Sequence, residues 1–255
     1  MHSRTSLAQD LRALGIGPGD LIFVHSSFKS LGPVEGGAST VVGAMEDATG
    51  ADGMIVMPSF NLIGDRDERA ARWNVGETPS SVGWLTESFR RMPGTYRSDH
   101  YSHSTAARGK GAESFVGEHL SDEGPATPWD REPWGRTHGR KAPMLKAYRR
   151  DGHLLMLGVD YETSTFCHVV EALYWERKLE EDPMAEFVSL HRGNLGEFWE
   201  RLGRVRRGRV GDSDSRCFGI RDYVDMLLTE VERNPDHYDR LKLEAKNTTK
   251  GETNG

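Results

Sequence analysis

His168 and Glu171, three residues apart, are the candidate catalytic pair of this sequence. On a helix, residues at this spacing lie on one face and their side chains can touch. A carboxylate beside an imidazole fixes its tautomer and raises its basicity, which suits a general base near neutral pH. The same spacing also describes an ordinary His–Glu contact on a solvated helix surface, so the spacing alone leaves both interpretations open.

The residues before this pair predict the elements that position it. Leu154–Leu157 reads as a short buried strand that breaks at Gly158. A polar turn follows and leads into a helix over 166–178 that carries the pair. Open α/β sheets bind ligands where a strand ends and a helix follows, so we expect the functional site here.

A second strand, Leu21–Val24, ends in the polar segment His25–Gly32. A helix follows, and then a third strand, Met54–Met57. Strand, helix and strand within about 40 residues predict a right-handed βαβ unit with parallel strands. The residues alone favour an ordinary β–α turn for the polar segment.

The remaining segments are predicted from their polarity. The stretches 60–82 and 121–143 are largely polar and are expected to form long loops. Phe187–His191 suggests a strand, and Phe218–Arg233 predicts an amphipathic helix. The basic run from Arg201 to Arg209 is interleaved with glycine, which favours an exposed strand or hairpin.

Composition describes an ordinary soluble chain of 255 residues, with 36% hydrophobic and 28% charged residues. The net charge of −6 argues against a nucleic-acid partner, and no apolar run approaches the roughly 20 residues that span a membrane. The N-terminus lacks a signal-peptide core, and Cys167 and Cys217 form no disulfide framework, so a cytoplasmic protein is expected. We predict one domain over 1–244 and a disordered tail over 245–255.

Several catalytic signatures are absent from the sequence. It contains no phosphate-binding Gly-x-x-x-x-Gly-Lys-Ser/Thr loop, no dinucleotide Gly-x-Gly-x-x-Gly and no Gly-x-Ser-x-Gly elbow. The histidines also match no metal-ligand spacing, and no metal is expected.

Four segments together resemble the aminoglycoside 3-N-acetyltransferase family of antibiotic acetyltransferases. The segments occur in the family's order and span most of residues 5–230. The first is DLIFVHSSFKSLG from Asp20 with the strand after it, and the second is TPSSVG from Thr78 leading to RRMPGTYRSDH. The third is the central LLMLGVDYETSTFCHVVE, and the fourth is CFGIRDYVD from Cys217. The resemblance implies a three-layer α/β/α sandwich with a largely parallel central sheet, acetyl-CoA as donor and direct transfer of acetyl to an amine.

Carried over by position, the resemblance implies roles for individual residues. His168 and Glu171 match the family's catalytic His-x-x-Glu, with His168 as the base and Glu171 orienting it. Two further segments match those that face the cofactor, and they contain His25, Ser26, Ser27, Phe28, Lys29, Gly32, Ser102, His103 and Ser104.

The sequence departs from the family pattern at two places. Tyr101 stands where the family usually has proline, and the segment 121–143 carries basic residues, which disfavour a polycationic acceptor. Five carboxylates could bind an amine acceptor, although a solvated loop charge is the commoner role for such residues. They are Asp65, Asp67, Glu77, Asp160 and Glu162.

Three hypotheses follow. The first is an acetyl-CoA-dependent N-acetyltransferase of an aminoglycoside, acting as a monomer or homodimer and connected with antibiotic resistance. The second changes the acceptor to a smaller amine metabolite, with acetyl-CoA or another acyl-CoA as donor. The third is a catalytically silent module that binds CoA or sugar on the same scaffold.

Overall fold

The computed structural model describes residues 1–245, and these form a seven-stranded sheet flanked by helices. In chain order the strands are β1 (Leu21–Ser26), β2 (Met54–Pro58), β3 (Thr95–Arg97), β4 (Thr105–Gly109), β5 (His153–Leu157), β6 (Arg206–Val210) and β7 (Ser213–Gly219). Their order across the sheet is β3-β4-β2-β1-β5-β7-β6.

The helices connect and cover these strands. They are α1 (Arg4–Ala13), α2 (Ala38–Thr49), α3 (Arg66–Arg72), α4 (Trp84–Arg90), α5 (Ala112–Val116), α6 (Pro143–Arg149), α7 (Phe166–Glu181), α8 (Arg192–Arg201), α9 (Ile220–Arg233) and α10 (Pro235–Tyr238). Short 3-10 helices follow β1 at Phe28–Leu31 and β5 at Tyr161–Thr163.

The expectation of a largely parallel sheet is wrong, although the central parallel unit is confirmed. β1 pairs in parallel with β2 and with β5, whereas the other four pairings are antiparallel. The reason is that both sheet margins are hairpins. Only Gly211 and Asp212 join β6 to β7, and parallel strands need a crossover of about a dozen residues.

The apolar residues of the central strands alternate between two buried clusters. In β5, Leu154 and Met156 belong to one cluster and Leu155 and Leu157 to the other. Successive side chains of a strand point to opposite faces, so the clusters lie on the two faces of the sheet. Helices α1, α2 and α4 supply residues to one cluster and α5 to α10 to the other, which explains why these strands are apolar throughout.

Several predicted segments differ in detail. The stretch 60–82 contains α3, and Phe187–His191 forms no strand, with only Leu190 making an isolated bridge to Asp239. The hairpin predicted for the basic run is confirmed as β6 and β7. The predicted tail lies outside the described residues except for residue 245. Within residues 1–245, no helix is long and apolar enough to cross a membrane.

Candidate active site

The carboxyl ends of β1 and β5 meet the start of α7. These strands are parallel neighbours, with Ser26 opposite Leu157, so both end at the same edge of the sheet. His25 Nε2 accepts a hydrogen bond from the backbone N–H of Thr165 at 3.4 Å and lies 3.2 Å from the Thr165 hydroxyl. Thr165 is the residue before α7, so this contact ties the helix start to the end of β1.

His25 is suited to positioning rather than to proton transfer. Burial, with a smaller effect of the Arg192 guanidinium, lowers the pKa of His25 to about 3. The ring therefore stays neutral near pH 7 and keeps Nε2 free to accept from Thr165.

His168 lies in the first turn of α7 and contacts Glu171 on the same face. His168 Nδ1 is 2.6 Å from Glu171 Oε2, which is the short distance of a hydrogen bond to a charged acceptor. The His168 side chain is 14% exposed and that of Glu171 only 1%. The pair is therefore not a solvated surface contact.

Glu171 is held for this contact by its other oxygen. Oε1 accepts a 2.7 Å hydrogen bond from the backbone N–H of Leu190 and lies 3.5 Å from the Ser189 hydroxyl. A buried carboxylate needs such partners to remain charged. The segment before α8 thus fixes the orientation of the acid that orients His168.

Arg192, the first residue of α8, engages the second ring nitrogen of His168. Its Nη2 donates to His168 Nε2 at 2.8 Å, and its Nη1 donates to the Glu162 carbonyl oxygen at 2.7 Å. A guanidinium can only donate, so Nε2 accepts and Nδ1 carries the proton donated to Glu171. This is the tautomer that leaves the lone pair of a base on Nε2.

Aromatic side chains surround the exposed part of the His168 ring. The Trp129 ring centroid lies 4.8 Å from that of His168, and the centroids of His103 and His138 lie 5.5 and 5.8 Å away. Burial lowers the pKa of both neighbouring histidines well below the usual value, so they stay neutral. Tyr101 donates through its hydroxyl to the Trp129 carbonyl at 3.0 Å and so anchors this segment.

A cavity of about 410 Å³ opens beside His168. Its wall includes His25 and Ser26 from β1 and Ser102 and His103 from the turn between β3 and β4. The Ser26 hydroxyl is buried and has no hydrogen-bond partner among residues 1–245. The structure therefore brings four predicted cofactor residues and the predicted base to one cavity.

The other predicted cofactor residues do not line this cavity. Ser27 precedes the 3-10 helix that contains Phe28 and Lys29, and Gly32 ends that helix. Phe28 packs on Trp84 with ring centroids 4.5 Å apart. The Ser104 hydroxyl is buried and donates to the Ser98 carbonyl, so it is already occupied within the fold.

None of the predicted substrate-binding carboxylates lines the cavity either. Asp65 caps α3, Glu77 borders a separate depression, and Asp160 caps the 3-10 helix after β5. Glu162 contributes its backbone carbonyl to Arg192 rather than its carboxylate. Asp67 pairs with Arg131.

The charge on the cavity wall is positive. The wall contains three arginines, Arg66, Arg69 and Arg192, and no aspartate or glutamate among the described residues that line it. The basic residues noted in 121–143 are largely compensated, since Arg136 pairs with Asp130 at 3.1 Å and Lys141 with Glu118 at 3.2 Å.

Sequence reasoning missed Arg192 and Trp129. Neither belongs to a motif, and each reaches His168 from a segment distant in sequence. Residues 1–245 contain no group of three or more His, Cys, Asp or Glu side chains placed to hold a metal ion.

Comparison with known proteins gives a consistent result. The sequence model of a family described as aminoglycoside 3-N-acetyltransferase matches residues 23–231. Aminoglycoside N(3)-acetyltransferase VII of Streptomyces paromomycinus is 30% identical over 277 aligned residues, covering 90% of this chain and 91% of that protein.

Solved structures agree with this match. A His→Ala mutant of aminoglycoside acetyltransferase AAC(3)-IVa in complex with apramycin is 25% identical, with a TM-score of 0.71 and coverage of 92% of this chain and 93% of that one. AAC-IIIb as a binary complex with CoASH has a TM-score of 0.72 at 23% identity, covering 91% and 97% of the two chains. The second likeness concerns the fold.

Proposed function

The chain belongs to the aminoglycoside 3-N-acetyltransferase family and is therefore an acyltransferase, and we propose that it transfers the acetyl group of acetyl-CoA to the 3-amino group of an aminoglycoside. One observation carries the proposal. His168, hydrogen-bonded to a buried Glu171, lies on the wall of a cavity, and its Nε2 carries the lone pair that accepts from Arg192.

In this proposal His168 is the general base. Its Nε2 takes a proton from the acceptor amine, which replaces the Arg192 guanidinium, while Nδ1–H stays bonded to Glu171. The carboxylate of Glu171 stabilises the imidazolium that forms. Such proton transfer contributes about 10²–10⁴-fold in rate. The amine attacks the acetyl carbonyl of acetyl-CoA, the C–N bond forms and the C–S bond breaks. The departing CoA thiolate takes up the proton from His168 and leaves as the thiol.

The cavity fits a donor that offers hydrogen-bond acceptors and negative charge. The unpartnered Ser26 hydroxyl and the arginines of the wall support this fit. We propose direct donor contacts for His25, Ser26, Ser102 and His103. For the adjoining turn, which contains Ser27, Phe28, Lys29 and Gly32, we propose contacts with the part of CoA outside the cavity. For Ser104 we propose a supporting role.

An acidic groove beside the cavity supports Asp160 as an acceptor contact. The groove is bordered by three aspartates and one arginine, and it shares Val159 and Thr163 with the cavity. The charged residues are Asp160, Asp212, Asp214 and Arg216. A polycationic acceptor would be attracted by these carboxylates. Asp65, Glu77 and Glu162 lie outside both the cavity and this groove. They would contact only an acceptor that extends beyond the cavity and the groove.

The positive cavity favours a second candidate function, the acylation of a smaller amine. Three arginines without a carboxylate on the described wall would repel a polycation that entered the cavity itself. Such an acceptor would place one amine beside His168 without bringing further positive charges.

We also propose a single catalytic domain over 1–244 in a three-layer α/β/α arrangement. Two hydrophobic clusters, each with its own set of helices, support the three layers. A cytoplasmic monomer or homodimer that acts on small molecules, with no nucleic-acid or membrane partner, fits the composition.

The test is CoA release from acetyl-CoA over a panel of aminoglycosides and smaller amines. We compare the parent chain, His168→Ala and, as a matched control, His237→Ala at an exposed position of α10. Turnover that disappears only in His168→Ala supports the proposal, and the acceptors that react distinguish the two functions. If acetyl-CoA raises the melting temperature but no amine reacts, the transferase activity is refuted. If acetyl-CoA does not bind, the donor is refuted as well.

A further inference from the structure

Arg66 and Arg69 bring two positive charges to the cavity wall that the reaction at His168 does not require. Both lie on α3, in the segment whose sequence predicted only a polar loop, and both line the cavity. Their spacing of three residues places them on one face of the helix.

The hydrogen bonds of these two arginines leave their charge uncompensated. Arg66 Nη1 donates to the Pro128 carbonyl at 2.7 Å, and Arg69 Nε donates to the Asp65 carbonyl at 3.2 Å. Both acceptors are neutral. Within residues 1–245, no carboxylate lies within ion-pair distance of either guanidinium, although Glu68 and Glu77 border the neighbouring depression that Arg69 also lines.

Two other arginines of this part of the fold, Arg90 and Arg131, are paired with carboxylates. Arg90 lies 2.5 Å from Glu87, and Arg131, from the segment that covers the cavity, pairs with Asp67 of α3 itself. A carboxylate on α3 thus compensates a distant arginine while two arginines of the same helix remain open toward the cavity. Positive side chains with only carbonyl partners are suited to bind an anion when one arrives.

The rest of the wall favours the same kind of ligand. Arg192 adds a third positive charge, and no carboxylate opposes it among the described lining residues. A concave site lined by charge of one sign focuses its potential on the ligand. Ser26, whose buried hydroxyl has no hydrogen-bond partner in the described chain, also lines this cavity.

We propose that Arg66 and Arg69 form an anion subsite that binds a phosphate or carboxylate group of a ligand in this cavity. The inference rests on the proposed function, because the ligand is a substrate of the transfer. Two sources share this chemistry. One is the phosphate groups of the CoA donor, and the other is an acidic group on the acceptor amine.

The test uses a double variant, Arg66→Gln with Arg69→Gln. Glutamine removes the charge and keeps a side-chain N–H donor at each position. The matched control is Arg72→Gln, which removes the same charge from the same helix outside the cavity. Calorimetry gives dissociation constants for acetyl-CoA, S-acetylpantetheine and pyrophosphate, and kinetics give KM for acceptors with and without an acidic group.

We expect the double variant to weaken one class of anionic ligand by about tenfold for each arginine that contacts it. If acetyl-CoA and pyrophosphate bind more weakly while S-acetylpantetheine, which has no phosphate, binds as before, the subsite holds the donor. If acetyl-CoA is unaffected and KM rises only for acceptors with an acidic group, the subsite holds the acceptor. The Arg72 variant matches the parent in both cases.

Equal affinities and KM values in parent and double variant would overturn the proposal. An equal loss for S-acetylpantetheine and acetyl-CoA would also overturn it, since the damage would then be structural. If the parent transfers no acetyl group at all, the proposed function fails separately, and pyrophosphate binding still decides on the subsite.

Discussion

The reaction centre and the outer wall of the cavity are assembled in different ways. At the centre, His168 and Glu171 are three residues apart on one helix and share a 2.6 Å hydrogen bond. At the wall, Arg66 of α3 reaches Pro128, 62 residues away, through a single 2.7 Å bond. Formation of α7 thus brings the base and its carboxylate together, whereas the wall exists only when two distant segments pack against each other.

The two regions also differ in how their charges are treated. Both oxygens of Glu171 and both ring nitrogens of His168 have partners inside the protein. The guanidinium groups of Arg66 and Arg69 have only carbonyl partners. The hydrogen bonds of the reaction centre are therefore complete before a substrate binds. The positive charges of the wall remain without a carboxylate partner, and an anionic ligand could compensate them. This contrast assigns the chemistry to the centre and the choice of ligand to the wall.

The largest effect is expected from Glu171→Gln at the centre. The Leu190 N–H requires an acceptor, so the amide oxygen of glutamine would take that place and its NH₂ would face His168 Nδ1. Nδ1 would then have to accept, the ring proton would move to Nε2, and the base would lose its lone pair. We expect kcat to fall by about 10²–10⁴-fold in steady-state assays of CoA release.

Glu180→Gln, an exposed position on the same helix, is the control and should retain the parent kcat. An unchanged kcat in Glu171→Gln, with the fold intact by circular dichroism, would show that the tautomer held by Glu171 is not needed.

A smaller effect is expected from acid through the buried His119, which supports the turn that supplies Ser102 and His103 to the cavity. Its ring links this turn between β3 and β4 to the segment 121–143, with Nδ1 2.9 Å from the Ser98 hydroxyl and Nε2 donating to the Thr137 carbonyl at 3.1 Å. Burial lowers the pKa of His119 from 6.5 to about 4. Between these values the unfolded chain binds a proton that the folded protein does not, so the free energy of unfolding falls as the pH drops from 6.5 to 4. The loss from this group is about 3 kcal/mol.

Urea unfolding between pH 8 and pH 4.5 measures this loss, with His119→Gln beside the parent. The variant starts less stable at pH 8 because its hydrogen bonds change, but its stability should fall less steeply with acid. Exposed His237→Gln serves as the control and should follow the parent. Parallel pH profiles for parent and His119→Gln would contradict the assignment.

The difference between the two regions also explains what could be predicted from sequence. The strands around His168 are runs of apolar residues covered on both faces, and the His-x-x-Glu spacing is local, so β1, β2, β5, α7 and the catalytic contact follow from short patterns. The strands β3 and β4 were not recognised because Thr95–Arg97 is short and exposed in part and pairs only through the β4 hairpin. The arginines of α3 gave no signal, because whether a charge is compensated depends on packing between segments far apart in the chain.

The smallest effect is expected at Arg192, where the two regions meet. Its guanidinium contributes to the positive wall and also occupies His168 Nε2, the atom to which an acceptor amine must bind. An incoming ammonium has to displace this donor and also meets its positive charge. Arg192→Gln removes the charge and weakens the hydrogen bond to Nε2, so KM for a cationic acceptor should fall by about tenfold while kcat changes little.

Arg201→Gln at the opposite end of α8 changes the same charge away from the cavity and should leave KM as in the parent. The changes of KM and kcat in Arg192→Gln distinguish two roles for Arg192. A lower KM means that the guanidinium competes with the acceptor for His168. The Arg192 guanidinium then occupies the position of the substrate amine when no substrate is bound. A fall in kcat at constant KM would instead make Arg192 part of the reaction, and the division between an organised centre and a ligand-selecting wall would then no longer hold at this residue.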